Sequence, residues 1–371
     1  MWQTRPLKHR SRPQKSIMIK SRRLSFVYPG SLDRPTGGYR YDRRMMNELE
    51  RLGWAVSRVA LSDEFPLCGG LARLDAEARF RALPDQEIVV CDGLAFGVIP
   101  EIAREHQQRL KLVALVHHPL YLEDGLSSDV AEAFFQREKE ALQYTRRVIT
   151  TSSATLAQVR DTFDVPTSAL RAILPGTNPL PRPDPPDLRS EPPSLLCVGS
   201  LIPRKGQDVL VEALSGLTDL DWHLDLVGDT RCDEAFAQRL QDLIAEHHLE
   251  QRVTVHGSVA DHELSRFYDR ASIFALASHY EGYGMAFAEA LLSGLPIVAS
   301  GRGAVRNTVP AAAALFCSEG QAASFRQALK LMLVDTRLRA EKAQGAAAAG
   351  SALPTWSEQG ALLSNTLEAL L

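Results

Sequence analysis

Glu281 and Glu289 stand eight positions apart in HYEGYGMAFAEALLSGLPIVAS (279–300), on either side of a Gly-Tyr-Gly turn. Gly282 and Gly284 keep the turn out of a helix, whereas Met285 onward reads as a helix that Gly294 and Pro296 end. With the strand-like SIFALAS before it, the stretch is strand, loop, helix. A helix start offers unpaired backbone N–H groups and a partial positive charge, which suits an anionic or hydroxyl-rich ligand. The glycines let such a ligand approach the main chain. Glu281 in the loop and Glu289 about one turn into the helix would accept its hydroxyl protons. Two glutamates alone would read as a solvated loop residue and a surface helix residue; the glycine turn between them favours the ligand.

A second turn, VGSLIPRKGQDVLVEAL (198–214), sets Arg204 and Lys205 just before a helix whose inward face reads Val209, Leu210, Ala213 and Leu214. Two cations at a helix start oppose the dipole, and a bound phosphate would resolve the conflict. An Arg fork and a Lys point charge together suit a diphosphate, including one that departs. A solvated turn is the alternative. In PGSLDRPTGGYRYDRRMMNEL, Gly37 and Gly38 follow the first strand and precede a helix, so their N–H groups either face an anion or form a plain tight turn. LVALVHHPLYLEDGL ends a buried strand with His117 and His118, one of which would face a crevice unless both are structural. No set of His or acidic residues has metal-ligand spacing, so no tightly held metal is expected.

These turns need a scaffold. Short apolar runs begin at Leu24, Ala55, Glu87, Leu112, Arg147 and Arg171, and again at Leu195, His223, Arg252, Ile273, Pro296 and Ala313. Helical patterns alternate with them; Tyr41, Met45, Leu49 and Leu52, stopped by Gly53, give the first crossover helix. The chain is therefore α/β, with two doubly wound parallel-sheet, Rossmann-like domains. The expected layout is a basic extension over 1–22, an N-terminal domain over 23–181, and a Pro-rich linker over 182–193 acting as a hinge. A C-terminal domain follows over 194–355, then a helix over 356–371 that either stays with it or crosses back to the first domain. Ligands in such sheets bind beyond the strand carboxyl ends, here across the interdomain cleft.

GSLIPRKGQDVLVEAL, HGSVADHELSRFYDRASIFALASHYEGYGMAFAEALLSGLPIVAS and the Pro-rich linker resemble the donor half of the retaining glycosyltransferases of family 4, which have the GT-B fold. The resemblance is strong in the C-terminal half and loose in the N-terminal half. It implies transfer of a hexosyl unit from a nucleotide diphosphate sugar to an acceptor hydroxyl with retained configuration, without metal or cofactor. Arg204 and Lys205 would bind and stabilise the leaving diphosphate, and Glu281 would contact the transferred sugar. The main chain of Gly282, Tyr283, Gly284 and Met285 would approach sugar and phosphates, and Glu289 would hold the ribose. Gly37 and Gly38 match the glycine-rich first loop of the family, and His117, rather than His118, would contact the sugar. One departure stands out: SGRGAVRNTVP keeps Gly303 but has Asn307 and Thr308 near the position where many relatives carry an acid, so sugar specificity does not carry over.

Charge narrows the partners. Eight Lys or Arg and no acid fall within residues 1–23, leaving 34 basic against 45 acidic residues elsewhere, a balance of −11. An acidic body argues against nucleic acid. The arm lacks an apolar face and reads as a disordered extension, with weak peripheral contact to an anionic membrane as the alternative. No apolar run spans a bilayer or resembles a signal peptide, so a cytoplasmic protein is expected, or one peripheral at the inner membrane face if the acceptor is lipid-linked. Five dispersed cysteines imply neither a disulfide framework nor zinc. The acceptor, whether saccharide, lipid-linked or small molecule, is not legible. Competing readings are a nucleotide-sugar epimerase and a non-catalytic nucleotide-sugar-binding or scaffold protein; an oxidoreductase would need the absent Gly-x-Gly-x-x-Gly.

Overall fold

The computed structural model describes residues 22–123, 125–178 and 192–371. The basic extension up to residue 21 and most of the 182–193 linker lie outside the described residues. Every run expected to be a strand forms one. β1 (Arg23–Pro29), β2 (Ala55–Leu61), β3 (Ile88–Asp92), β4 (Lys111–Val116), β5 (Arg147–Thr150) and β6 (Leu170–Ala172) make a sheet in the order β2-β1-β3-β4-β5-β6. All of its pairings are parallel. β7 (Ser194–Val198), β8 (His223–Val227), β9 (Val253–Gly257) and β10 (Ile273–Leu276) make the second with Ile297–Ala299 and Ala314–Phe316. Its order is Ala314–Phe316, Ile297–Ala299, β10, β7, β8, β9. Helices cover both faces, which is why β3 and β10 are buried along their whole length. The fold is GT-B: two six-stranded parallel-sheet domains face each other across a cleft.

Helix α1 (Gly37–Arg51) begins where the Thr36 side chain accepts from the Tyr39 N–H. Its inward face buries Tyr41, Met45, Met46 and Leu49, and also Asp42. Although it follows the second domain in sequence, the terminal helix Trp356–Glu368 packs on α1. Trp356, Leu363 and Leu367 share one cluster with Tyr41, Met45 and Leu49. A capping box of Thr355 and Glu358 starts that helix. A Cβ at Gly360 would lie 2.5 Å from Glu48 Cβ, so only glycine permits this approach. Trp54 Nε1 donates to Ser364 Oγ at 2.9 Å and fixes the far end. Among the described residues no helix is long and apolar enough to cross a membrane.

Candidate active site

Arg204 and Lys205 lie on a 3-10 turn, Pro203–Lys205, that leads through Gly206 into the helix Gln207–Ser215. Gly206 has φ 62°, and a Cβ there would be 2.2 Å from the Ala277 carbonyl oxygen, so the cations are held hard against the end of β10. The helix buries Leu210, Val211, Ala213 and Leu214; Val211 rather than Val209 completes its inward face. Lys205 Nζ meets Glu281 Oε1 at 2.6 Å, and Ser278 Oγ donates to the same oxygen at 2.6 Å. Arg204 Nη1 donates to the Tyr280 carbonyl at 3.1 Å, while its buried Nε has no partner among the described residues. Glu281 is 5% exposed. Burial pushes its carboxyl up, but the charges of Lys205 and Arg204 outweigh this and hold it below the usual carboxylate range.

The glycine loop is built as strand, turn and helix. Tyr280–Glu281 pairs with Arg302–Gly303, a ladder too short for sequence periodicity to reveal. A Cβ at Gly303 would fall 2.3 Å from the Glu281 carbonyl oxygen. Gly284, at φ 87°, caps the helix Met285–Leu292. Thr308, part of the departure from the family pattern, donates its hydroxyl to the Tyr283 carbonyl at 2.5 Å and fixes the turn from behind.

The N-terminal domain supplies the opposite wall. Gly37 and Gly38 are the first two residues of α1 rather than a loop before it, so their N–H groups have no partner within the helix. A Cβ at Gly282 would lie 2.3 Å from the His117 carbonyl oxygen, so the loop touches the end of β4. Thr155 Oγ1 donates to the Gly282 carbonyl at 3.2 Å, and Tyr280 donates its hydroxyl to Gln158 Oε1 at 3.0 Å. His117 Nε2 lies 3.1 Å from Asp42 Oδ1 and 3.5 Å from Asp92 Oδ2. Burial favours the neutral ring, but the two carboxylates prevail and raise His117 to about 10. His118 instead pairs with Glu123 at 2.5 Å. Burial pushes Glu123 up, and His118, Arg204 and Lys205 bring it down to about 2. Asp42, Asp92 and His117 present ligand atoms within 4.8 Å of one another, a grouping that could hold a metal and that positions 42, 92 and 117 conceal in the sequence.

Glu289 is not bare. Its Oε1 is paired with Arg40 of α1, and Tyr268 donates to its Oε2 at 3.0 Å. Beside them a cavity of about 290 Å³ opens between the domains, lined among others by Arg40, Arg44, Tyr283, Met285 and Glu289. The structure thus brings Arg204, Lys205, Glu281 and the Gly282–Met285 loop together with His117, and sets Gly37 beside Met285: a Cβ at Gly37 would lie 3.5 Å from Met285 Sδ. Sequence reasoning missed Arg40, Asp42, Asp92 and Tyr268. Asp42 had a signal, since it shares the α1 stripe of Met46 and Leu49, where an acid needs a partner; the others had none without the fold.

Residues 183–348 match the family described as Glycosyl transferases group 1. D-inositol 3-phosphate glycosyltransferase from Xylanimonas cellulosilytica is 31% identical over 172 residues, 46% of this chain and 41% of that protein. The chain spans about half or less of the length of the curated relatives it matches. Sucrose-phosphate synthase from Thermosynechococcus elongatus superposes with a TM-score of 0.77 at 20% identity, over 94% of this chain and 99% of that one. Anabaena HepE in complex with UDP and glucose gives 0.73 at 17% identity, over 93% and 100%.

Proposed function

We propose that this chain, with its GT-B fold and its Glycosyl transferases group 1 domain, is a metal-independent retaining hexosyltransferase of family 4 that uses a nucleotide diphosphate sugar. The observation that carries the reading is the 2.6 Å contact of Lys205, on the Pro203–Lys205 turn, with Glu281 beside the glycine loop, next to an Arg204 whose Nε has no partner among the described residues. A diphosphate fits this arrangement because it supplies acceptor oxygens to both cations. Glu281, kept ionised and fixed by Ser278, accepts from the hydroxyls of the transferred sugar. Glu289 takes the ribose hydroxyls once Arg40 moves aside. The free N–H groups at the starts of α1 and of the Met285–Leu292 helix add donors at the phosphates.

In this reading no side chain attacks the sugar. The diphosphate leaves from the face the acceptor hydroxyl approaches, takes that hydroxyl's proton, and is stabilised by Arg204, Lys205 and the helix starts. Contact between Gly282 and His117 excludes water from the reacting carbon. The acceptor is a saccharide, lipid-linked or small-molecule alcohol, and the protein works in the cytoplasm or at the inner membrane face.

Thermal shift with UDP-glucose, GDP-mannose and ADP-glucose, followed by NMR of the anomeric proton during transfer or hydrolysis, tests the proposal. One donor should raise the melting temperature and release its diphosphate. Binding without turnover across a broad acceptor panel would establish the scaffold reading instead.

A further inference from the structure

Tyr280 stands immediately before Glu281 and is 5% exposed. Its two polar ends are committed to different domains. The carbonyl accepts from Arg204 Nη1 at 3.1 Å within the C-terminal domain, whereas the hydroxyl crosses to the N-terminal domain and donates to Gln158 Oε1 at 3.0 Å, on the helix Ser153–Phe163. Little room surrounds the ring: a Cβ at Gly303 would lie 2.9 Å from Tyr280 Cε2, and the His118 ring stands 6.0 Å away between centroids. The side chain is therefore a strut whose length sets where Glu281 sits relative to the opposite wall.

Gln158 is itself held from behind. Its Nε2 donates to the Tyr121 hydroxyl at 3.0 Å, and Tyr121 meets Phe135 and Phe163 edge-on at 5.4 and 6.1 Å between centroids, against the N-terminal core. Both ends of the amide are thus used, one by each tyrosine. Three residues earlier, on the same face of the helix, Thr155 Oγ1 accepts from Ser152 Oγ at 2.9 Å, which leaves its own proton for the Gly282 carbonyl at 3.2 Å. The helix therefore holds the chain on both sides of Glu281, at Tyr280 and at Gly282. Lys205, Ser278 and the Ala304 N–H, which bond Glu281 directly, all belong to the C-terminal domain.

We propose that Gln158 is a positioning residue: by holding the Tyr280 hydroxyl it fixes Glu281 relative to the N-terminal wall of the cleft, and so ties sugar transfer to contact between the two domains. This role, which rests on the reading of Glu281 as the group facing the transferred sugar, belongs to the N-terminal domain although Glu281 does not. Free nucleotide has no need of the strut, because Arg204 is anchored in its own domain by the His279 N–H, which donates to its carbonyl at 2.9 Å. Loss of the strut leaves diphosphate binding in place and misplaces the sugar-facing acid.

The test uses the full chain with Gln158→Leu, Tyr280→Phe, the double variant, and Gln158→Glu, which keeps an acceptor for Tyr280 and lets the Tyr121 hydroxyl turn and donate. Turnover is measured with whichever of UDP-glucose, GDP-mannose and ADP-glucose the wild type uses. Each single variant should lower kcat about fivefold to tenfold, the worth of one hydrogen bond between neutral groups, while affinity for free UDP, GDP or ADP stays within about twofold. The double variant should fall no further than the worse single one, since both remove the same bond, and Gln158→Glu should recover most of the turnover. Amide exchange over residues 279–285, read by mass spectrometry on the unliganded protein, should quicken about fivefold in Gln158→Leu and in Tyr280→Phe and return in Gln158→Glu. Should Gln158→Leu not fold, Tyr280→Phe, which removes a single oxygen, carries the test. A kcat within about twofold of wild type in both single variants, additive losses in the double, or a Gln158→Glu protein as slow as Gln158→Leu overturns the proposal. So does nucleotide affinity that falls in step with kcat, which would mean that the strut serves the diphosphate or the fold. If no donor is turned over, the glycosyl-transfer reading fails, and exchange over 279–285 still decides whether Gln158 fixes the loop: a rate unchanged in both single variants overturns that as well.

Discussion

Lys205 and Glu281 neutralise each other at 2.6 Å with Glu281 almost wholly buried, so neither is removed without consequence for the other. Lys205→Ala strips the nearest cation from a buried carboxylate. We expect it to lose about 3 kcal/mol of stability in chemical denaturation, and also to lose nucleotide diphosphate binding. The double variant Lys205→Met, Glu281→Gln should recover most of the stability but no turnover. A double variant as unstable as the single one would mean that the pair is not the source of the loss. The carboxyl of Glu281 sits below its unfolded value, so its stabilisation is present above the ordinary carboxylate range and disappears as pH falls through the lower folded value. Glu281→Gln should therefore flatten part of the acid limb of stability below the ordinary carboxylate range. An unchanged acid limb would show that Glu281 is not held low.

The glycine loop is where an element, rather than a side chain, sets the geometry. Gly282 lies so close to the His117 carbonyl that one methyl group must push the β10 loop and the β4 end apart. Gly282→Ala should cut sugar transfer by about 10²-fold while binding of free UDP, GDP or ADP changes far less. Equal losses of both would place the defect in the diphosphate site instead. Periodicity made the strands that carry these loops readable, since runs such as EIVVC and IFALA are apolar on both faces and lie in sheet interiors. It could not reveal Tyr280–Glu281 pairing with Arg302–Gly303, because two residues show no alternation. Nor did it place Gly37 and Gly38 inside α1, since glycine pairs read as turns until the Thr36 cap is seen.

At the scale of the molecule, α1 links the two halves. It carries Arg40 to Glu289 and Asp42 to His117, and the terminal helix clasps its outer side. Arg40→Ala should raise the radius of gyration in solution scattering without weakening free nucleotide binding, because Glu289 is released to the ribose. Glu289→Ala should weaken it. An Arg40→Ala protein that binds nucleotide as poorly as Glu289→Ala would make Arg40 a ligand group rather than a latch. The C-terminal wall of the cleft was legible because Arg204, Lys205 and Glu281 sit at strand-to-helix turns and Glu289 one turn into the helix that follows, each with its own local signal. The opposite wall was not, because Asp42, Asp92 and His117 meet only when β1, β3 and β4 lie side by side.

The proposed reaction requires that Arg204 and Lys205 hold a nucleotide diphosphate in the cleft. Titration calorimetry with UDP, GDP and ADP, on the wild type and on an Arg204→Ala, Lys205→Ala protein whose fold is verified by circular dichroism, tests it most directly. At least one of the three should bind the wild type and lose about tenfold or more in affinity in the variant, about 1.4 kcal/mol or more. Equal affinity for both proteins, or no binding of any of the three to the wild type, would contradict it.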